Sequence, residues 1–425
     1  MEFETVDKMA MTTLRKGTWK PLFKSRYNNN YFDFTKREEY EKNLRKRIFS
    51  NVSDSQNVVV SPNTYPFNFD PEITQYVVWI RNLENDPGIE NIVKNIESMH
   101  PEKDYFVYIN NMNGRSIKSI QHYHAMIKPV SQPYHLEKII VFHRHGNRSP
   151  IYKLPNFEKM LGSNDFSNDF DPSLLPSGYY NATKFGSDLK KIYSLDENFI
   201  TDSIFVSSPF KRCRDTSKAI IHGLGLTVDT EIYDSDKLKI EILDTTKKVH
   251  LYTNMFEPIY EEYIDLMTEL ENIFGIDNKY SNNINSYEDK IYALTYIYDY
   301  HSTLQCYRDL GIEIDQFVNK QLQQSLENAN MKVYNMLCHA YQLILSKNMQ
   351  ELLSFANHFE HKLVMCSTHD TIVFVMAKYL ANLKNINYDY ELPDYLSNIR
   401  IEKWSDGTVR YFYNNWFIGS NLLLT

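Results

Sequence analysis

Cysteine and glycine are scarce in this chain, long apolar runs are missing, and there is no excess of positive charge. Each shortage excludes something. The four cysteines are Cys213, Cys306, Cys338 and Cys366, and none forms a Cys-x-x-Cys pair, so a disulfide framework is not expected. That usage favours a reducing compartment. No run of about 18 apolar residues occurs, so no membrane span is expected. Residues 1 to 30 mix charged and aromatic side chains without the apolar core of a secretory leader, and a cytoplasmic location is the expectation. Lys and Arg number 46 against 54 Asp and Glu, a formal charge of −8, with no basic tail or stripe of the kind that grips nucleic acid. An anion must therefore be caught by a local cluster rather than by the field of the whole chain. What the chain does have is bulk: 42% hydrophobic and 14% aromatic over 425 residues is enough for two domains with cores of their own.

The local cluster is easy to find. Ile139-Ile140-Val141-Phe142 is a short apolar run of the buried-strand type, and it leads into His143-Arg144-His145-Gly146-Asn147-Arg148-Ser149-Pro150. A histidine between two arginines just past a strand end is tolerated best when an anion sits among them. Gly146 gives the backbone room to turn beside the imidazole, and Pro150 stiffens the exit of the loop. The chemistry suggested is an imidazole attacking phosphorus while guanidiniums hold the phosphoryl oxygens.

Three further pieces follow in order. Leu174, Gly178, Gly186, Leu189 and Tyr193 are spaced over a helical segment. Ile204-Phe205-Val206 is strand-like and runs into Ser207-Ser208-Pro209-Phe210-Lys211-Arg212. Leu363 to Ser367 is another strand, ending in Thr368-His369-Asp370-Thr371. Together with R-H-G-x-R-x-P, these pieces resemble the histidine phosphatase superfamily, in its acid phosphatase and phytase branch. Cys213 stands where that family usually has threonine, a departure that leaves Arg212 in place. Secreted members of the branch usually carry a leader and disulfides, and this chain departs on both counts.

The resemblance implies an α/β fold: a mostly parallel sheet flanked by helices, as in the phosphoglycerate mutase-like fold, with a helical cap inserted at about 225–358. It also implies roles. His145 is the nucleophile and forms a phosphohistidine. Arg144, Arg148, Arg212 and His369 bind the phosphoryl oxygens. Asp370 protonates the leaving oxygen and then deprotonates the attacking water. Asp370 must start protonated; nearby arginines oppose that, while burial and a bound dianion favour it, so activity best at mildly acidic pH is expected. No metal and no cofactor is needed, because arginines neutralise the charge. The partner expected is a small-molecule phosphate monoester. Lys153 and Lys211 are candidate extra contacts or plain solvated charges, and Asn147 and Ser149 lie in the loop without an assigned part.

About 130 residues precede the catalytic strand, enough for a separate α+β domain over 1–132, with 133–425 as the phosphatase domain and Lys128 to Pro133 as connector. Within the first part, Arg37 to Phe49 is a charged helix, Asp104 to Ile109 a strand, and Ser119 to Lys128 a strand carrying His122-Tyr123-His124-Ala125-Met126. Asn63-x-x-Pro66, Tyr76-Val77-Val78-Trp79, Ser116-Ile117 and the His122/His124 pair resemble a histidine-triad-like family of uncharacterised proteins. Two-residue spacing puts both imidazoles on one face, as the triad motif does against a nucleotide phosphate. Met126 occupies the third position of that motif. A metal site, with His135 the nearest further histidine, and a merely buried histidine pair remain alternatives. Three functions stay open: a metal-independent phosphomonoesterase, a catalytically silent phosphate- or inositol-phosphate-binding module, and a bifunctional protein with a nucleotide-binding N-terminal domain.

Overall fold

The computed structural model describes residues 10–17, 19–22, 37–50, 52–53, 55–64, 67, 69–110, 117, 119–130, 134–151, 154, 156, 171–227, 229–238, 257–275, 287–383 and 392–421. Backbone contacts divide the chain into two compact units, Lys138–Ile401 and Glu2–Glu137 with Glu402–Thr425.

In the second of these units five strands form one sheet: β1 (Ala10–Lys16), β2 (Val58–Pro62), β3 (Thr74–Ile80), β4 (Lys103–Asn110) and β5 (His122–Pro129), in the order β1-β4-β5-β3-β2. β1 with β4, β4 with β5, β5 with β3 and β3 with β2 all pair antiparallel. Period-two alternation sorts the side chains of β5. Tyr123, Ala125 and Ile127 face a core shared with Ile92, Val93 and Ile96 of α2 (Gly88–Met99). Met126 belongs to a second core with Phe69, Phe106 and Tyr108. Leu44 of α1 (Arg37–Phe49) packs with Val77, Trp79 and Ile120 in a third. The sheet is thus covered on both faces. Strands β1 and β2, which the sequence did not suggest, sit at its two edges. Pro66, Ser116 and the connector residues Ser131–Pro133 lie outside the described residues.

The C-terminal segment clusters with this unit rather than with the preceding 264 residues, 138 to 401. Buried charge explains it. Arg410, 1% exposed, lies 3.1 Å from the fully buried Glu402 and 3.4 Å from Asp70. Lys20 reaches Asp406 at 2.9 Å. Removing one partner of such a pair strands a charge, so the association is exacting even where its net stabilisation is small. A boundary at 132 alone does not capture this return of the chain. β11 (Val409–Tyr413) pairs with β12 (Trp416–Ser420) antiparallel. The turn between Trp404 and Thr408 is closed by Trp404 N–H to the Thr408 carbonyl at 2.9 Å, with Gly407 at φ 81°.

In the unit 138–401 the sheet order is β10-β6-β9-β7-β8, from β6 (Leu136–Arg144), β7 (Ser203–Ser207), β8 (Ile232–Asp234), β9 (Leu363–Thr368) and the start of β10 (Asn398–Trp404). β6 pairs parallel with β9, β9 with β7, and β7 with β8. Every residue of β9 is buried, as expected of a central parallel strand. Helices α3 (Pro176–Ile192), α4 (Glu197–Thr201), α5 (Lys211–Leu224) and α9 (Asp370–Leu383) alternate with the strands. The mixed α/β class agrees with expectation, and the described residues inserted between β8 and β9 are mainly helical. The insertion contains α6 (Glu257–Phe274), α7 (Tyr287–Asp309) and α8 (Lys320–His358). Its first part differs from expectation: residues 232–234, inside the expected cap range, are strand β8, paired with Phe205 to Ser207. Three residues are too few to show a strand pattern. The start of α8 is fixed by the Asn319 side chain accepting from Leu322 N–H at 2.9 Å.

Candidate active site

Strand register builds the site. Arg144 pairs with Thr368 and Ser207 with Ser367, so the carboxyl ends of β6, β7 and β9 finish level. The residues just beyond them, His145, Ser208 and His369, therefore converge, as in other open parallel sheets. The other histidine of the motif, His143, lies within β6, whereas His145 follows the strand's end at Arg144. His143 packs on Phe185 at 6.0 Å between ring centroids, away from the site, and burial pushes its pKa to about 4.

His145 is 3% exposed. Its Nδ1 lies 2.9 Å from the Gly146 carbonyl, an acceptor, so Nδ1 carries the proton. Its pKa is held well below the usual histidine value, first by burial and then by Arg212, Arg144, Arg148 and His369. A neutral ring protonated at Nδ1 leaves the Nε2 lone pair available. The ring of His369 stands edge-on at 5.8 Å.

Three guanidiniums surround this ring. Arg148 donates to Ser149 O at 3.0 Å and Ser302 Oγ at 3.2 Å. Arg144 pairs with Asp370 at 3.0 Å, donates to Pro393 O at 2.6 Å and stacks on Tyr395 at 4.5 Å. Arg212 lies over Phe210 at 4.4 Å, with Asp171 at 3.6 Å, beyond hydrogen-bond reach. The Nε atoms of all three, and Nη1 of Arg212, are buried without a hydrogen-bond partner from the protein. Burial and then the charge of Arg148 lower the pKa of Arg212. An anion would relieve both the unpaired donors and the repulsion.

His369 Nδ1 faces Arg212 Nη2 at 3.5 Å and its Nε2 faces Ser208 Oγ at 3.0 Å. Arginine only donates, so the proton of the neutral ring sits on Nε2. Desolvation and then Arg212 push its pKa to about 3. Asp370 opens α9 and takes Thr371 N–H on Oδ1 at 2.8 Å and the Tyr298 hydroxyl on Oδ2. Burial acts to raise its pKa, but Arg144 and then Tyr298 prevail, and the carboxyl lies below its usual range.

Sequence reasoning missed the cap wall. Tyr298, His301, Ser302, Gln305 and Asp309 of α7 line a cavity of about 330 Å³ together with Arg144, Asp370 and other residues. Asn147 Nδ2 donates to Asp309 at 3.0 Å, tying the loop to α7. The signal was present: those five positions follow i, i+3, i+4, i+7, i+11, one helical face that is polar rather than apolar. Of the extra candidates, Lys153 is outside the described residues, and Lys211 is half exposed and pairs with Asp215 at 3.4 Å. Ser149 contributes its carbonyl to Arg148.

Helix α3 holds two of these parts in place. A Cβ on Gly146 would come within 2.9 Å of the Gly178 carbonyl, and one on Gly178 would collide with Asn147. A Cβ on Gly186 would meet Ile220 O of α5 at 2.5 Å. Close approach, and not a left-handed turn, is what Gly146 serves. Its N–H donates to Thr216 Oγ1 on α5 at 3.0 Å.

In the other unit, His122 and His124 do share one face of β5, with rings 5.2 Å apart. Trp79 lies 5.1 Å from His122, and Tyr108 stacks on His124 at 4.9 Å. Their neighbours are aromatic, with Asn110 Nδ2 3.4 Å from His124 Nε2. Among the described residues no group of three His, Cys, Asp or Glu is placed to hold a metal ion.

Comparisons with known proteins divide along the chain. The model of a protein family of unknown function, DUF3605, matches residues 3–128. No curated protein matches in sequence. Among solved structures, the phytase of Klebsiella sp. ASR1 has TM-score 0.45 at 16% identity, over 66% of this chain and 82% of its own. The Hafnia alvei phytase in complex with myo-inositol hexakis sulphate has TM-score 0.47 at 14% identity, over 66% and 85%. A multiple inositol polyphosphate phosphatase of Bifidobacterium longum, in complex with inositol hexasulfate, has TM-score 0.43 at 11% identity, over 68% and 89%. At these values the weight of a functional reading rests on the residues of the site itself.

Proposed function

We propose that this protein is a phosphomonoester hydrolase of the histidine acid phosphatase type, working through a phosphohistidine at His145 and without a metal. One observation carries the reading: a buried imidazole, kept neutral and protonated at Nδ1, stands among three arginines with unpartnered donors. The guanidiniums of Arg144, Arg148 and Arg212 hold the equatorial oxygens. Nε2 of His145 attacks phosphorus as the bond to the leaving oxygen breaks, and Asp370 gives that oxygen its proton. Asp370 then takes a proton from water, which attacks phosphorus and breaks the P–N bond.

A second reading, phosphate binding without turnover, also has an observation behind it. Asp370 is ionised as it stands, bound by Arg144 and Tyr298, and cannot donate a proton in that state. A dianion entering the cluster competes for Arg144 and raises the Asp370 pKa by repulsion, which turns the same carboxyl into an acid.

Phosphate release from p-nitrophenyl phosphate across about pH 4 to 8, with EDTA present, separates the two. Turnover that persists in EDTA and disappears in His145→Ala supports hydrolysis. Folded wild-type protein that binds phosphate and releases none from any ester supports the silent module.

A further inference from the structure

We propose that the cavity beside the arginines accepts esters with a single phosphate on an uncharged, hydroxyl-bearing leaving group, and disfavours polyphosphorylated ones. The inference deepens the phosphatase reading and rests on it for the term leaving group. Asp370 lines the cavity, whereas His145 is not among its lining residues. The cavity is therefore on the proton donor's side of the phosphorus, where the departing alcohol lies.

Its chemistry is the opposite of the arginine cluster. Among the described lining residues Arg144 is the one arginine or lysine, and Asp370 already pairs with it. The remaining charged side chains of the wall are carboxylates, Asp309 on α7 and Asp394 at the exposed edge. Asn147 and Gln305 hold Asp309 with amide donors at 3.0 and 3.1 Å, which orient the carboxylate without cancelling its charge. His301 adds no cation at neutral pH: burial and then Arg308 bring its pKa to about 4. A second phosphate placed here would meet acceptors and negative charge, the arrangement that builds selectivity against a ligand.

A positive attraction stands beside the repulsion. Asn330 on α8 is fully buried, lines the cavity, and neither Nδ2 nor Oδ1 has a hydrogen-bond partner from the protein. An unpaired amide donor next to an unpaired acceptor is satisfied by one hydroxyl, which both accepts and donates. The volume, about 330 Å³, is at the small end for ligand pockets.

The test is calorimetric titration of full-length His145→Ala protein, at about 0.15 M salt so that unspecific charge attraction is screened. The probes are glucose 6-phosphate, phenyl phosphate and myo-inositol hexakisphosphate. The sugar monophosphate should bind at least about tenfold more tightly than the hexakisphosphate. Asn330→Leu should weaken the sugar ester about tenfold and phenyl phosphate far less. Asn330→Asp, of the same shape, loses the donor and should also weaken the sugar ester. Asp394→Lys should narrow the gap to the hexakisphosphate. Hexakisphosphate binding as tightly as the sugar ester, or a sugar-ester affinity indifferent to both Asn330 variants, overturns the proposal. Wild-type turnover is measured alongside. A preserved binding preference with no turnover defeats the hydrolase reading alone, and turnover with a reversed preference defeats the selectivity alone.

Discussion

Two histidine pairs stand close together among the described residues, and their immediate surroundings differ. His145 and His369 stand 5.8 Å apart among guanidiniums whose donors are unpaired, beside a polar cavity. His122 and His124 stand 5.2 Å apart among the rings of Trp79, Tyr108 and Phe67. Both pairs lie on or just past a strand, and both are enclosed. The imidazole alone therefore says little. His145 is kept neutral by burial and by the cations around it, whereas His122 and His124 pack among aromatic rings, with the Ile120 carbonyl and the Asn110 amide within reach of their ring nitrogens.

The largest expected effect tests that contrast directly. His145→Ala should lower turnover of p-nitrophenyl phosphate on the order of 10³-fold or more, as loss of a nucleophile does. His124→Ala should leave the rate per folded molecule within about twofold and cost about 1–3 kcal/mol of stability, read by urea unfolding. Equal loss of rate in the two variants would break the comparison. Next, Asp370→Asn should slow alkyl phosphates by about 10²–10⁴ and p-nitrophenyl phosphate much less, because nitrophenolate leaves without a proton. Equal loss on both esters removes Asp370 as the acid. Arg212→Ala should cost about 10² in kcat/KM, with weaker phosphate binding, since it deletes the donors that have no other partner.

The smallest effect is in stability. His143, His145, His301 and His369 all have folded pKa values below 6.5, near 4 for His143 and His301 and near 3 for His369. Below pH 6.5 the unfolded chain binds protons that the folded one refuses, so stability is fullest above that pH and declines as pH falls toward 4. Asp370 acts in the same direction at lower pH: its depressed value gives stability above the ordinary carboxylate pKa that is lost as pH falls through the folded one. Melting temperature against pH, with and without inorganic phosphate, reads this. Phosphate should raise the curve most at neutral pH, and a flat profile contradicts neutral buried rings.

The six positions of the cluster were legible because their motif is local: residues 144 to 148 and 369 to 370 are contiguous, and Arg212 opens a helix directly after a strand. Strand β9 was legible because a buried parallel strand is continuously apolar. Tyr298, Asn330 and Tyr395 were not found, because each is set by tertiary placement of a helix or loop far along the chain. The polar face of α7 was visible in principle, yet reading the insertion only as helical discarded the side on which the polarity fell. Strand β8 was hidden by its length. The grouping of residues 402–425 with the first 137 was hidden because Arg410, Glu402 and Asp70 look like ordinary surface charges until burial joins them.

Helix α3 contributes no side chain to the cavity lining, yet the loop after β6 and the helix bearing Arg212 both rest on its glycines. In a map of substitution tolerance, intolerance should therefore run in a line down that helix, through Gly178 and Gly186. A reader of such a map would find the fitness landscape steep at positions outside the arginine cluster, since there a single added methyl shifts two parts of the candidate site at once.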